Sequence, residues 1–182
     1  KSKLPVIDLE GLANHKGSAF GALGQNEQTS QEQFENNLAE ELIHISAVHS
    51  YFWIEDESQR IGTNMLPITF FKNMRNSICY FIDIPFYARL QFIVQAYGKF
   101  AIADLIAATL RIQKRLGGLE TKTAVNFLVE NNIEGAFSIL LKYYDKVYLK
   151  NLETAAIPKL KTEKIVASEV HSIHNAGLLM HL

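Results

Sequence analysis

Cysteine is almost absent: Cys79 is the single thiol in 182 residues. One thiol closes no internal disulfide and builds no multi-cysteine zinc site. A reducing, cytoplasmic setting is therefore expected. No apolar run approaches the roughly 20 residues of a membrane-spanning helix, so no membrane role is expected. The opening Lys1-Ser2-Lys3-Leu4-Pro5-Val6-Ile7-Asp8 lacks a signal-peptide core, because Asp8 interrupts it. There is no initiating Met, which points to an upstream part. Net charge is −1, so no global field draws the chain to polyanions. What remains is a globular composition, 48% hydrophobic and 20% charged. The length suits one ordinary domain or one and a half small ones.

The charge is unevenly placed. Residues 1–98 hold 7 Lys/Arg and 11 Asp/Glu, whereas residues 99–164 hold 11 and 7. A polyanionic partner, if there is one, would meet the second half. A mildly polarised surface without a ligand explains the same numbers equally well.

Along the chain, Pro5–Leu9 reads as a short buried strand. A loop follows with Gly11, Gly17, Gly21 and Gly24. Ser30 opens a helix, with Gln33 three residues on as in a capping box. Phe34, Leu38, Leu42 and Ile45 form its apolar face. Tyr51–Ile54 is a second strand running into Glu55-Asp56-Glu57. Pro67 opens a short helix with Phe70, Phe71 and Met74. Ile78–Ile82 is a third strand ending at Asp83, and Pro85 opens the next helix.

Apolar strands alternating with helices predict a parallel α/β sheet, whose ligands bind at the strand carboxyl ends. Those ends carry Asp8/Glu10, Glu55/Asp56/Glu57 and Asp83. Beyond residue 98 the pattern is helical over 100–116, 121–131 and 134–149. Gly117-Gly118 and Asn131-Asn132 break it, and no strand is expected there. The predicted organisation is an α/β portion over 1–98, a helical extension over 99–150 and a loose tail over 151–182.

The glycine loop is not a Walker A: five residues, not four, separate Gly11 from Gly17, and Ser18 follows Gly17 directly with no Lys between them. It could still offer amides, Lys16 and Ser18 to an anion, although a plain glycine-rich connector fits the residue types better. Tyr51–Glu57 resembles a Walker B strand, whose terminal acids hold a metal, a water or a partner's base. By itself that pattern is common. Cys79 among apolar neighbours reads as core. His44 and His49 are five apart and share no helical face. His171, His174 and His181 fall in the tail, where a solvated role outweighs zinc binding. No metal-ligating set is assigned.

Arg111, Lys114 and Arg115 are spaced for one helix face. Further on, Lys142-Tyr143-Tyr144-Asp145-Lys146 interleaves bases with aromatics. Bases pair with phosphates and tyrosines stack on nucleobases. An amphipathic helix with Tyr144 packed on Tyr148 is the competing explanation.

Taken in order, these segments are more specific than any one of them. The run Val6–Gly21 resembles tRNA 2-selenouridine synthases. So do Ser30-Gln31 with Gln33–Asn36, Trp53–Gly62, Pro85 with Arg89, Lys114–Gly118, and Leu140-Leu141 with Tyr143–Asp145 and Tyr148. The likeness covers roughly residues 4–150. It implies a P-loop-like α/β sheet lacking its first strand, followed by a helical extension. The family carries an N-terminal rhodanese-like domain with a catalytic cysteine and then a Walker A strand, both upstream of the segments matched here. Lys16 stands where the family usually has Arg, keeping the charge but losing the bidentate fork.

The resemblance implies a transferase that converts wobble 2-thiouridine in tRNA to 2-selenouridine through S-geranyl-2-thiouridine. Geranyl diphosphate and selenophosphate would be the co-substrates, with Mg as a further candidate. His15, Lys16, Gly17 and Ser18 would face diphosphate or tRNA phosphates. Glu55 and Asp56 would take the Walker B place, and Arg60 would meet phosphate charge. Arg111, Lys114, Arg115, Tyr143 and Tyr144 would hold tRNA. A rhodanese domain would be the protein partner, and the chain alone would be inactive in selenation. The rival readings are a nucleotide- or nucleoside-kinase-like P-loop protein, suggested by Pro85 and Arg89, and a non-catalytic RNA-binding domain.

Overall fold

The structure, a computed structural model, describes residues 4–154 and 161–180. It is a mixed α/β arrangement of the P-loop-like class. It divides into two compact units, Lys1–Arg75 with Ala176–Leu182, and Asn76–Asn175.

In the first unit, β1 (Val6–Ile7) leads into α1 (Leu9–Ala13), and the glycine loop then leads to α2 (Gln31–Ser46). β2 (Trp53–Ile54) lies parallel to β1, pairing Val6 with Trp53 and Ile7 with Ile54. β3 (Arg60–Ile61) and β4 (Asn64–Met65) form an antiparallel hairpin. α3 (Ile68–Arg75) follows directly after Pro67. The core is Ile7, Leu9, Ala13, Phe34, Leu38, Ile61 and Leu66, with Leu42, Ile45, Phe70, Phe71 and Met74 packed around it. α2 enters this core through the face its spacing predicts. Complete burial of a side chain such as Phe34 contributes roughly 1.5–3 kcal/mol. Ser30 caps α2, its Oγ accepting from the Gln33 amide at 3.2 Å. The reciprocal half of a capping box is replaced: the Gln33 side chain donates forward to Asn37 at 2.7 Å.

In the second unit, β5 (Ile78–Asp83) is the expected third strand, yet it is not hydrogen-bonded to β1 or β2. It pairs in parallel with β6 (Lys161–Val166), from Ile78–Lys161 to Asp83–Val166. The absence of a strand after residue 98 is thus corrected. The Lys/Glu-rich β6 hides its pairing because four of its six residues are exposed, as is common in edge strands. Its charges pair along the ladder, Lys161 with Glu163 and Lys164 with Asp83, both at 2.6 Å. α9 (Ser172–Leu179) also interrupts the expected loose tail. Residues 151–154, also expected in the tail, continue the helix that precedes them, and 155–160 and 181–182 lie outside the described residues.

Helices α4 (Phe86–Tyr97), α5 (Ile102–Arg111), α6 (Gln113–Leu116), α7 (Gly118–Val129) and α8 (Ile133–Thr154) complete this unit. α8 packs on α4 and α7, and α5 packs on α7. Leu105, Ala108, Ala124, Leu128, Ala136, Phe137 and Leu140 are buried where they meet. Gly117 at φ 103° turns α6 into α7, and Asn131 at φ 58° turns α7 into α8. Both are conformations that ordinary side chains avoid.

Candidate active site

Parallel pairing of β1 and β2 sends both chains out at the same end. Asp8 and Glu10 therefore emerge beside Glu55 and Glu57. Asp8 caps α1, its Oδ1 accepting from the Gly11 amide at 2.6 Å. The next amide, of Leu9, donates to Glu55 Oε2 at 2.9 Å. The carboxyls then pair: Glu55 with Asp8, and Glu10 with Glu57. Burial, first of all, raises Glu55 to about 7, and the Asp8 carboxylate adds to the effect against two backbone hydrogen bonds. Burial also leads for Glu10, raised to about 7, with the charge of Glu57 next; Lys16 opposes. Glu57 is raised by burial too, but its hydrogen bond with Glu10 pulls the other way. Below about pH 7, Glu10 and Glu55 therefore hold protons that a free carboxyl would release.

The glycine loop folds against these acids. Gly17, at φ +65°, has the Glu57 carboxylate where a Cβ would stand, 2.5 Å away. The loop closes on itself. Lys16 N donates to Gly21 O at 3.0 Å, Ser18 N to Lys16 O at 2.7 Å, and Gly21 N to Ser18 O at 2.9 Å. Ser18 Oγ accepts from Phe20 N at 3.2 Å. Of the loop amides, those of Lys16 and Ser18 are thus directed to carbonyls inside the loop. The Lys16 side chain is exposed, and the half-buried His15 ring lies against Gly21.

Asp56, whose charge also raises Glu57, is paired with a residue the sequence reading missed. Arg75 holds it at 2.6 Å, donates to Glu57 O at 2.9 Å, and lies over the Phe71 ring. Arg75 sits in the last turn of α3, and its distance from Asp56 in sequence conceals the pair. Arg60 is exposed on β3, with Nε donating to Gly62 O at 2.8 Å. The structure therefore brings Glu55 together with Asp8, Glu10, Glu57 and the Lys16–Ser18 loop. Of these partners, Asp8, Glu10 and Glu57 were legible only as acids at strand ends. The donor chemistry is the hard oxygen type that magnesium prefers. The acids nevertheless form two pairs, and among the described residues no three His, Cys, Asp or Glu side chains converge to enclose a metal ion.

In the second unit, the expected single face of Arg111, Lys114 and Arg115 is split. Arg111 ends α5, while Lys114 and Arg115 lie on α6, because the helix breaks at Ile112 (φ −101°, ψ 4°). All three are exposed. Tyr143 and Tyr144 are half-buried and meet edge to face at 5.2 Å, whereas Tyr148 stacks on Phe81. Arg89, which prompts the kinase-like reading, is a structural clamp. It grips Asp145 with two hydrogen bonds, at 2.6 and 3.0 Å, and donates to Ile84 O at 2.9 Å.

Residues 2–173 match the family described as the tRNA 2-selenouridine synthase AAA domain. A tRNA 2-selenouridine synthase of Shewanella frigidimarina is 35% identical over 178 residues, covering 81% of this chain and 48% of the relative. One from Bdellovibrio bacteriovorus is 32% identical over 212 residues, covering 93% and 56%. One from Nitrosomonas europaea is 40% identical over 95 residues, covering 51% and 24%. The chain spans about half the length of the first two relatives. No solved structure matches it. Among the described residues no helix is long and apolar enough to cross a membrane.

Proposed function

The chain belongs to the tRNA 2-selenouridine synthase family through its AAA domain, and from that membership we propose that it works in converting wobble 2-thiouridine of tRNA to 2-selenouridine. The reaction is a transfer in two stages. The thiouridine sulfur first takes the geranyl group of geranyl diphosphate as its C–O bond breaks and diphosphate leaves. Selenium from selenophosphate then adds at C2, and the sulfur leaves with its geranyl group as the thiol. Cleavage of the P–Se bond by water leaves phosphate. A rhodanese-like domain and tRNA are the partners, and the compartment is the cytoplasm.

One observation carries this reading. Two stretches that resemble the family, residues 6–21 and 53–62, fold against each other into one acid-lined site. Glu10 and Glu55, with protonation midpoints near neutrality, are suited to exchange protons at working pH. Their protons also reduce the negative charge that an incoming diphosphate would meet. Lys16 and Arg60 supply cationic side chains, with His15, Gly17 and Ser18 shaping the loop beside them. Asp56, held by Arg75, keeps the strand end in place rather than reacting. In the second unit, Arg111, Lys114 and Arg115 contact tRNA phosphates, with Tyr143 and Tyr144 beside them.

The test is a salt titration of binding to tRNA carrying wobble 2-thiouridine, alongside the same tRNA without the sulfur. The expected result is steeply salt-dependent binding with about tenfold preference for the thiolated tRNA, roughly 1.4 kcal/mol. Equal affinity for the two would favour a general RNA-binding domain and overturn the proposal.

A further inference from the structure

We propose that Gln28 is a positioning residue that sets the β3–β4 hairpin, and with it Arg60, against the start of the glycine loop. The functional side of the inference rests on the reading of Arg60 and the 15–18 loop as groups facing an anion.

Gln28 lies in an irregular segment between the glycine loop and α2. Its side-chain amide uses both of its chemical halves. Nε2 donates to Ala13 O at 2.8 Å, to Asn64 Oδ1 at 2.9 Å and, more weakly, to Ile61 O at 3.2 Å. Oε1 accepts from Thr63 N at 2.8 Å and from the Thr63 hydroxyl at 3.1 Å. One end of this connection is the last residue of α1. From there the chain turns through Asn14, at φ 49°, into the 15–18 loop. The other end is the hairpin turn. Its Gly62, at φ +62°, leaves room for the Gln28 amide where a Cβ would collide. The carbonyl of that glycine accepts from Arg60 Nε at 2.8 Å. An unbroken series of contacts therefore runs from the loop entrance, through Gln28, to the Arg60 guanidinium.

The flanking residues reinforce it. Asn14 Nδ2 donates to Glu27 O, and Asn64 Nδ2 donates to Thr29 O, both at 3.1 Å. Asn64 is 1% exposed, so its amide has no water to turn to if Gln28 is lost. Only a neutral amide supplies both donors and acceptor here. A carboxylate at this position would face three acceptors, and a methionine would fill the space with none of the bonds.

The experiment compares Gln28→Met and Gln28→Glu with the wild-type chain, by residue-resolved amide exchange and by binding of inorganic diphosphate. In Gln28→Met, exchange at Thr63 and at the loop amides Lys16 and Gly21 should rise together, by at least about tenfold. The Phe34 amide in α2 should be unchanged. Diphosphate affinity should fall about tenfold, and adding Arg60→Ala should cost less than its separate effect. In Gln28→Glu, a protonated carboxyl regains one donor, so the defect relative to wild type should be smaller at pH 5 than at pH 8. Faster exchange confined to Thr63, or additive losses with Arg60→Ala, would overturn the proposal. If Gln28→Met does not fold, the Gln28→Glu comparison decides, and an equal defect at both pH values overturns it. Failure of the wild-type chain to bind diphosphate would instead sink the anion reading of the loop. The exchange pattern would still test Gln28.

Discussion

Glu10 and Glu55 decide the electrostatics of the site by holding protons that a free carboxyl would release. Their midpoints are raised from 4.5 to about 7, chiefly by burial. A folded midpoint above the unfolded one gives a definite sign. The folded state binds more protons than the unfolded state between the two values, so stability falls as pH rises. The contribution is fully present below about pH 4.5 and lost as pH passes through about 7. Discounted for solvent screening, each carboxyl is worth roughly 1–2 kcal/mol. Thermal midpoints measured from pH 5 to pH 8 should decline with pH in the wild type, and the decline should flatten in Glu10→Gln. An unchanged slope would show that Glu10 titrates normally. The acids themselves were plain in the sequence. Their protons were not, because burial and the Asp8–Glu55 and Glu10–Glu57 pairings join residues far apart in the chain. Asp56 teaches the same lesson in reverse: an equal candidate by position, it is committed to Arg75.

Elements governed by neighbouring residues were legible. Ser30 caps α2, Phe34 and Leu38 lie on its buried face, and Pro67 and Pro85 stand just before α3 and α4. The β3–β4 hairpin was missed because two-residue strands carry too few side chains to show a period. The signal that could have found it is Gly62-Thr63 between Ile61 and Asn64. Glycine with positive φ at the first turn position suits a two-residue hairpin. From residue types the glycine loop reads best as a plain connector, and only the family resemblance implies that it faces an anion. Its glycines answer first to packing, as Gly17 shows by lying against the Glu57 carboxylate. Gly17→Ala should therefore destabilise the chain by about 1–3 kcal/mol, from left-handed strain and displacement of Glu57. Chemical denaturation provides the check, and an alanine variant as stable as wild type would contradict the close approach.

For the whole molecule, the charge partition carries the clearest expectation. The net surplus of Lys/Arg lies in residues 99–164, and Lys114 and Arg115 are exposed on α6. Reversing both to Glu should weaken tRNA binding regardless of sequence and reduce the steepness of its salt dependence by about 2. A variant with the wild-type slope would remove α6 from the interface. The sequence by itself determined the α/β class, the principal helices, the acids at the ends of β1 and β2, and the family, because each depends on residue type and local order. Tertiary structure alone decided that β5 pairs with β6, that Arg75 claims Asp56, that Arg89 serves as a clamp on Asp145, and that Gln28 ties the loop entrance to the hairpin. Each of these joins side chains or strands distant in sequence, and folding brings them close enough for hydrogen bonds and burial to act.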